Sequence, residues 1–202
     1  MTGFRKINDE EDIETFAKWI YLTDQFLFTK LFKDETDSVK AIVELINNDY
    51  LNEYHRNFIT LIYEDNPDEV RGMIISFRTN SISNESTYNA LNSLSSMNHK
   101  SIVLNFAFGK FFASYRGDND YYIGNLYVKE NYRNQGFGSK LVEKSKQMAR
   151  QLRCKNILLD VEYDKPYLIY FYGKLGFEQN SKNYFKLFGK TYGYQGLKHK
   201  IR

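Results

Sequence analysis

The chain has one cysteine, Cys154, and two prolines, Pro67 and Pro166, in 202 residues. A single cysteine excludes an intramolecular disulfide and gives no sign of an oxidising compartment, so a cytoplasmic setting is expected. So few prolines exclude a Pro-rich linker, and no repeat or low-complexity tract marks a domain boundary. No apolar run approaches the ~20 residues a bilayer-spanning helix needs. The polar, acidic residues 1–14 do not resemble a signal peptide, so a soluble protein is expected. The three histidines, His55, His99 and His199, share no metal-ligand spacing with one another or with Cys154, which speaks against a zinc site. Each histidine is better read as a lone surface or buried residue, and Cys154 as a small packed one.

What is present fits one domain over 1–202, with 42% hydrophobic and 26% charged residues and enough length to bury a core unaided. The aromatic share is high, 17 Tyr and 16 Phe, so core and cleft should be lined with rings. The net charge of +3 hides an asymmetry: residues 1–70 carry 16 acidic and 7 basic side chains, the remainder 9 and 21. The basic part is expected to face an anion.

Hydrophobic periodicity organises the chain. A short strand is expected at 4–7, then a helix capped by Asn8, with Ile13, Phe16, Ala17, Ile20 and Tyr21 inward. A second helix is expected over 37–47. Residues 58–64 and 70–78 are β-branched and aromatic around the turn formers 65–68, which predicts an antiparallel hairpin. The stretch 79–120 reads as an insertion capping the cleft, helical near 102–115. A strand at 121–128 then leads through a turn into a helix at 139–153, whose stripe is Leu141, Val142, Met148, Ala149 and Leu152, interrupted by Ser145. The compact apolar run 156–161 suits a buried strand parallel to the preceding one. Pro166 opens another helix that Gly176 closes, and strand character at 185–188 and 195–201 suggests a final hairpin.

The turn Arg133-Asn134-Gln135-Gly136-Phe137-Gly138-Ser139 carries the chemistry. A strand that feeds a glycine-bearing turn and then a helix presents free backbone N–H groups at the positive end of the helix dipole, which is an anion site. Glycines at 136 and 138 keep Cβ atoms out of a phosphate's way. Residues 129–155 add 8 basic side chains against 2 acidic ones. Glycines alone could equally be shaping the turn, with the lysines as a solvated face. The turn is neither a P-loop, lacking G-x-x-x-x-G-K-[ST], nor a dinucleotide fingerprint, lacking the third glycine.

Leu126-Tyr127-Val128 followed by Tyr132 to Gly138 resembles the signature of the GNAT superfamily of acetyltransferases, Arg/Gln-x-x-Gly-x-Gly/Ala after an apolar strand. Phe171-Tyr172-Gly173-Lys174-Leu175-Gly176-Phe177 is similar to the end of that superfamily's fourth helix. The resemblance covers about 121–177 and implies an α+β fold: a twisted mixed sheet flanked by helices, with a helical insertion between the third and fourth strands. It further implies that strands 121–128 and 156–161 splay apart to admit the pantetheine of acetyl-CoA. Leu126, Tyr127 and Val128 would line that arm, with main-chain bonds from Leu126 and Val128. Arg133, Asn134, Gln135, Gly136, Phe137, Gly138 and Ser139 would hold the pyrophosphate, with Lys165 and Phe171 also near the cofactor.

By the same resemblance Tyr172 is the acid for the leaving thiolate, a phenol of pKa ~10 facing a thiol of pKa ~8.5, and Val128 N–H is the oxyanion donor. Tyr172 could instead simply pack on Phe171. The strand offers Tyr122, Gly124 and Asn125 where relatives place a glutamate, so the base is open; Asp120, Glu162 and Asp164 are candidates by proximity only.

The reading is therefore an N-acetyltransferase joining acetyl-CoA to a primary amine of a small molecule or peptide by direct attack in a ternary complex, without metal, nucleic acid or membrane. A homodimer is compatible with it. A non-catalytic acyl-CoA sensor of the same fold is the alternative, and a nucleic-acid binder using the basic helix ranks last, with no reader motif beside the charge. The acidic residues 1–70 could attract a cationic acceptor, or be an ordinary solvated surface.

Overall fold

The computed structural model describes residues 1–8, 10–95, 115–187 and 190–201. The expected hairpin forms: β2 (Ile59–Glu64) and β3 (Val70–Arg78) pair antiparallel. β1 (Thr2–Arg5) adds to β2, starting earlier than the expected 4–7. The helix after it also starts elsewhere than expected. Glu11 is held by Arg5 at 2.7 and 2.9 Å and accepts from Asn8 N, which ties Asn8 and Glu11 to the first strand. Asn8 bonds Glu10 N instead of capping a helix, and Asp12 becomes the N-cap of α1 (Ile13–Thr23).

Two more helices follow. α2 (Gln25–Phe32) has no counterpart among the sequence expectations, because its apolar residues show no clear period. It is defined by its ends: Asp24 closes α1 and caps Leu27 N, while Lys33, at φ 79, turns the chain into Asp34, the cap of α3 (Glu35–Ile46).

Within 79–120, a single 3-10 turn at Thr79–Ser81 precedes α4 (Asn84–Asn92), capped by Ser83. The expected helix near 102–115 falls almost wholly outside the described residues.

The chain then crosses the middle of the sheet. β4 (Asp120–Val128) is antiparallel to β3, α5 (Phe137–Gln151) crosses over, and β5 (Asn156–Glu162) returns parallel to β4. α6 (Pro166–Lys174) ends with Gly176 at φ 77 and Phe177 N donating to Tyr172 O at 3.1 Å, a glycine-terminated cap. β6 (Glu178–Leu187) and β7 (Lys190–Lys200) form the final hairpin, longer than the two expected patches. β7 lies inside, giving the order β1-β2-β3-β4-β5-β7-β6. Gly193 permits that pairing, since a Cβ there would lie 2.1 Å from Asn183 O.

Alternation along the strands sends neighbours to opposite faces. Leu61 and Ile75 join Phe16, Ile20 and Ile42 under α1–α4, whereas Ile62 and Ile74 join Leu141, Val142 and Tyr172 under α5 and α6. The break in the α5 stripe has a cause: buried Ser145 Oγ bonds Ser76 Oγ at 3.1 Å, and Ser76 bonds the Tyr121 hydroxyl at 3.1 Å. Leu152, expected inward, is 45% exposed, because it lies at the cap after the last helical residue.

Candidate active site

β4 and β5 pair over only four positions, from Asp120↔Asn156 to Ile123↔Leu159. Beyond them the strands part. On β4 the register with β3 slips so that Ile75 faces Asn125 and Ser76 faces Ile123, leaving Gly124 as an extra residue that bends the strand. β5 meanwhile continues along β7, with Asp160↔Gly196 and Glu162↔Tyr194. Each wall of the gap is therefore paired on its outer side and open on its inner side. Burial follows: β4 is buried over its first four residues and partly or fully exposed afterwards.

Main-chain direction at the open wall can be read from one bond. Lys129 N donates to Arg71 O at 2.9 Å, so Lys129 points toward β3. Alternation in an antiparallel strand then turns the N–H and C=O of Val128 and Leu126 away from β3, into the gap. The Val128 carbonyl is occupied by Arg133 Nε at 3.1 Å, which leaves its N–H facing the gap. The Tyr127 ring goes to the other face and stacks on Trp19 at 5.1 Å.

The turn beyond β4 is shaped for an anion. Asn134 at φ 62 and Gly136 at φ 84 are left-handed, and α5 starts without a side-chain cap. Its first internal bond is Lys140 N to Gly136 O at 3.0 Å. The amides of Asn134 to Ser139 find no acceptor among the described residues. A Cβ on Gly136 would have nothing within 4 Å, so the space beside it is open. Uncapped amides at a helix N-terminus, with open room before them, fit a diphosphate. Phe137, whose side chain is buried, serves the core: Arg71 lies 5.2 Å over its ring and 4.6 Å over that of Tyr132.

The helix that carries the second motif comes to the same corner. A Cβ on Gly138 would lie 3.4 Å from Phe171 Cζ and 3.8 Å from Leu126 Cδ2, so the turn, β4 and α6 converge there. Tyr172 is buried between Phe171 and Phe177, ring centroids 4.9 and 5.6 Å away, and its hydroxyl finds no hydrogen-bond partner among the described residues. Burial raises this phenol above its ordinary value, so it is protonated across the neutral range.

The structure does not gather all the expected residues at the turn. Lys165 Nζ pairs with Glu162 and donates to Thr23 O at 3.2 Å, on the side of the sheet covered by α1 and α2. The basic helix is also less uniform than its charge suggests. Lys146 is buried, bonding Leu175 O and Glu143 at 2.7 Å each, so it closes α6 instead of facing an anion. Lys140 reaches Thr2 Oγ1 at 2.8 Å.

The carboxylates named by proximity also differ in use. Asp120 accepts from Gly117 N at 2.9 Å and Asn156 Nδ2 at 2.7 Å at the closed end of the β4–β5 pair, a bracing role. Glu162 is taken by Lys165. His55 accepts from Asn57 N at the start of a short 3-10 turn, His199 meets Gly176 O at 2.7 Å, and His99 lies outside the described residues. Cys154 is buried. No metal-binding group and no helix long and apolar enough to cross a membrane occurs among the described residues.

Sequence reasoning missed the polar cluster on the α1–α2 side of the gap. Asn125 Nδ2 donates to Thr23 Oγ1 at 2.6 Å, Tyr194 donates to Asp24 at 2.6 Å and Tyr122 donates to Asp160 at 3.0 Å. Arg116 lies 3.4 Å over the Tyr122 ring and pairs with Glu53 at 2.6 Å. These residues come from distant segments, and the one sequence signal was Asp24, a capping residue type between two apolar runs.

Comparison with known proteins bears on this geometry. The family model described as "Acetyltransferase (GNAT) family" matches residues 19–177. An N-acetyltransferase from Staphylococcus aureus Mu50 superposes with a TM-score of 0.69 at 20% identity, over 98% of this chain and 100% of that one. Ard1 from Thermoplasma volcanium gives 0.55 at 15% identity, over 100% and 98%. The NatC complex bound to Gag peptide and CoA gives 0.56 at 16% identity, over 100% and 99%. At such identities the likeness is one of fold. No curated protein is significantly similar to the chain in sequence.

Proposed function

The chain belongs to the acetyltransferase (GNAT) family and is an acetyl-CoA-dependent N-acetyltransferase, and we propose that it acts by direct attack of a primary amine, of a small molecule or a peptide, in a ternary complex. One observation carries the reading: an uncapped helix N-terminus with unpaired amides stands beside a gap between two parallel strands. A diphosphate on that turn leaves the gap to admit an extended arm, as an added strand would enter.

Acetyl-CoA supplies a thioester, an acyl group already activated toward an amine. The amides of Asn134 to Ser139 bind the diphosphate, with Arg133 exposed at its edge. Leu126 and Val128 offer main-chain groups to the arm, and the Val128 N–H donates to the carbonyl oxygen as negative charge grows there. Phe171 and Leu126 wall the arm where Gly138 brings the turn close. Tyr172 holds its proton and gives it to the departing sulfur. A cytoplasmic setting belongs to the same proposal and rests on the lone cysteine.

The related fold of the NatC complex was solved with a peptide and CoA together, which supports pairing the two ligands here. The test is thiol release from acetyl-CoA over a panel of amines, with calorimetry of coenzyme A alongside. Release with at least one amine is expected. Coenzyme A binding without release would turn the reading to an acyl-CoA sensor, and no binding would remove both.

A further inference from the structure

An amine that is protonated at neutral pH must shed a proton before it attacks, and β4 offers no carboxylate at the gap: Tyr122, Gly124 and Asn125 stand there. The other side of the sheet supplies one. Thr23, the last residue of α1, is bonded to Asn125 Nδ2 from β4 and to Lys165 Nζ from the start of α6, and Lys165 in turn pairs with Glu162 at the end of β5. The residue after it, Asp24, is therefore held over the opening, on the face opposite Tyr172. Its Oδ1 caps Leu27 N at 3.0 Å, which is all that α2 requires of it. Its Oδ2 accepts from the Tyr194 hydroxyl at 2.6 Å, a contact between residues 170 apart in sequence. Tyr194 stands opposite Glu162, at the end of the β5 wall.

We propose that the Tyr194 hydroxyl and the Asp24 carboxylate form the proton-accepting pair of the acetyl transfer, with Tyr194 touching the amine and Asp24 acting through it as a positioning residue. The inference rests on the acetyl-transfer reading. A phenol that donates its proton to a carboxylate keeps lone pairs free to accept another hydrogen bond. An N–H bond of the ammonium breaks and its proton passes to Tyr194 Oη as the Tyr194 proton passes to Asp24 Oδ2. The freed nitrogen pair forms the new C–N bond at the thioester carbon, the C–S bond breaks, and the sulfur takes the proton of Tyr172. The second proton shed by the new amide nitrogen restores Tyr172, and Asp24 releases its proton to solvent, so one proton is lost overall.

The electrostatic surroundings suit the task. Burial raises the Asp24 carboxyl above the usual carboxylate range, with Asp164 adding to the rise, while the Tyr194 hydrogen bond, the bond from Leu27 N and the Lys165 ammonium oppose it. The other groups facing the pair are Tyr54, Tyr122 with Asp160, Glu162 with Lys165, and Arg116 with Glu53. Asp24 must be ionised to accept, so activity falls as pH drops through its raised value. The acid limb of kcat/KM accordingly lies above the ordinary carboxylate range.

Acetyl-CoA with putrescine, spermidine and a short lysine peptide provides the test. Asp24→Asn keeps the α2 cap, since asparagine caps as well as aspartate. It is expected to lower kcat/KM by about 100-fold or more and to abolish the acid limb. Tyr194→Phe is expected to lower kcat/KM by about tenfold or more and, by removing a bond that favours the carboxylate, to move the residual acid limb to higher pH. An active wild type whose acid limb persists in Asp24→Asn, or does not move in Tyr194→Phe, overturns the pair and leaves acetyl transfer standing. A wild type that binds coenzyme A and releases no thiol with any of the three amines overturns both.

Discussion

The two sides of the β4–β5 gap are built by different means. On the α5–α6 side the anion turn is a run of consecutive residues, 133–139, whose working groups are main-chain amides. On the α1–α2 side the polar cluster is assembled from Thr23, Asp24, Asn125, Lys165 and Tyr194, and its working groups are side chains. A backbone site tolerates exchange of most of its side chains, because dihedral angles and the helix dipole do the binding. A side-chain site changes with every substitution, so on the proposed reading it is the side that would set acceptor specificity.

If the sides are separate devices, damage to one should leave the other's ligand unaffected. The largest of these effects is expected from Tyr172→Phe, which removes the proposed donor for the leaving sulfur: kcat should fall by about 100-fold, with coenzyme A affinity by calorimetry within about twofold of wild type. A comparable loss of affinity would break the separation, since Tyr172 would then be holding the cofactor. Gly136→Val comes next. A β-branched residue at φ 84 costs about 1–2 kcal/mol in backbone strain alone, and its side chain enters the open space before the amides. Coenzyme A should bind about tenfold more weakly, while the KM for the amine, measured at saturating acetyl-CoA, stays near wild type.

Smaller effects sharpen the comparison by separating charge from structure on the basic helix. Ser145→Ala leaves the buried Ser76 hydroxyl one partner short and should cost about 1–2 kcal/mol in urea unfolding. Its kcat at low temperature should be unchanged. Arg133→Met and Lys146→Met should then diverge. The first, exposed beside the turn, weakens coenzyme A by about threefold in low salt and less in high salt. The second, buried against Leu175 O, lowers thermal stability without changing that affinity.

Much of the α5–α6 side was legible in the sequence. Strand, turn and helix follow one another without interruption, and left-handed backbone at a turn favours glycine, so Gly136 and Gly176 announced themselves. The parallel strand 156–161 and the hairpin 58–78 were legible for the same reason, local periodicity between turn formers. Less was legible where long-range bonds redirect short segments. Asn8 looked like a cap until Arg5 and Glu11 claimed the residues after it, and α2 had no period to reveal it. The charge of Lys146 advertised an anion site, yet its partners are the Glu143 carboxylate one turn back and a carbonyl 29 residues away.

The sequence by itself determined the anion turn, its helix, and the aromatic segment carrying Tyr172, because these depend on bonds between residues a few positions apart. Only the tertiary structure decided that Gly124 would bulge and part β4 from β5, and that Thr23 would bond both Asn125 of β4 and Lys165 at the start of α6. It alone placed Asp24 against Tyr194. The physical reason is that register between strands and contact between faces follow from the packing of the whole sheet, and no window of neighbouring residues carries that information.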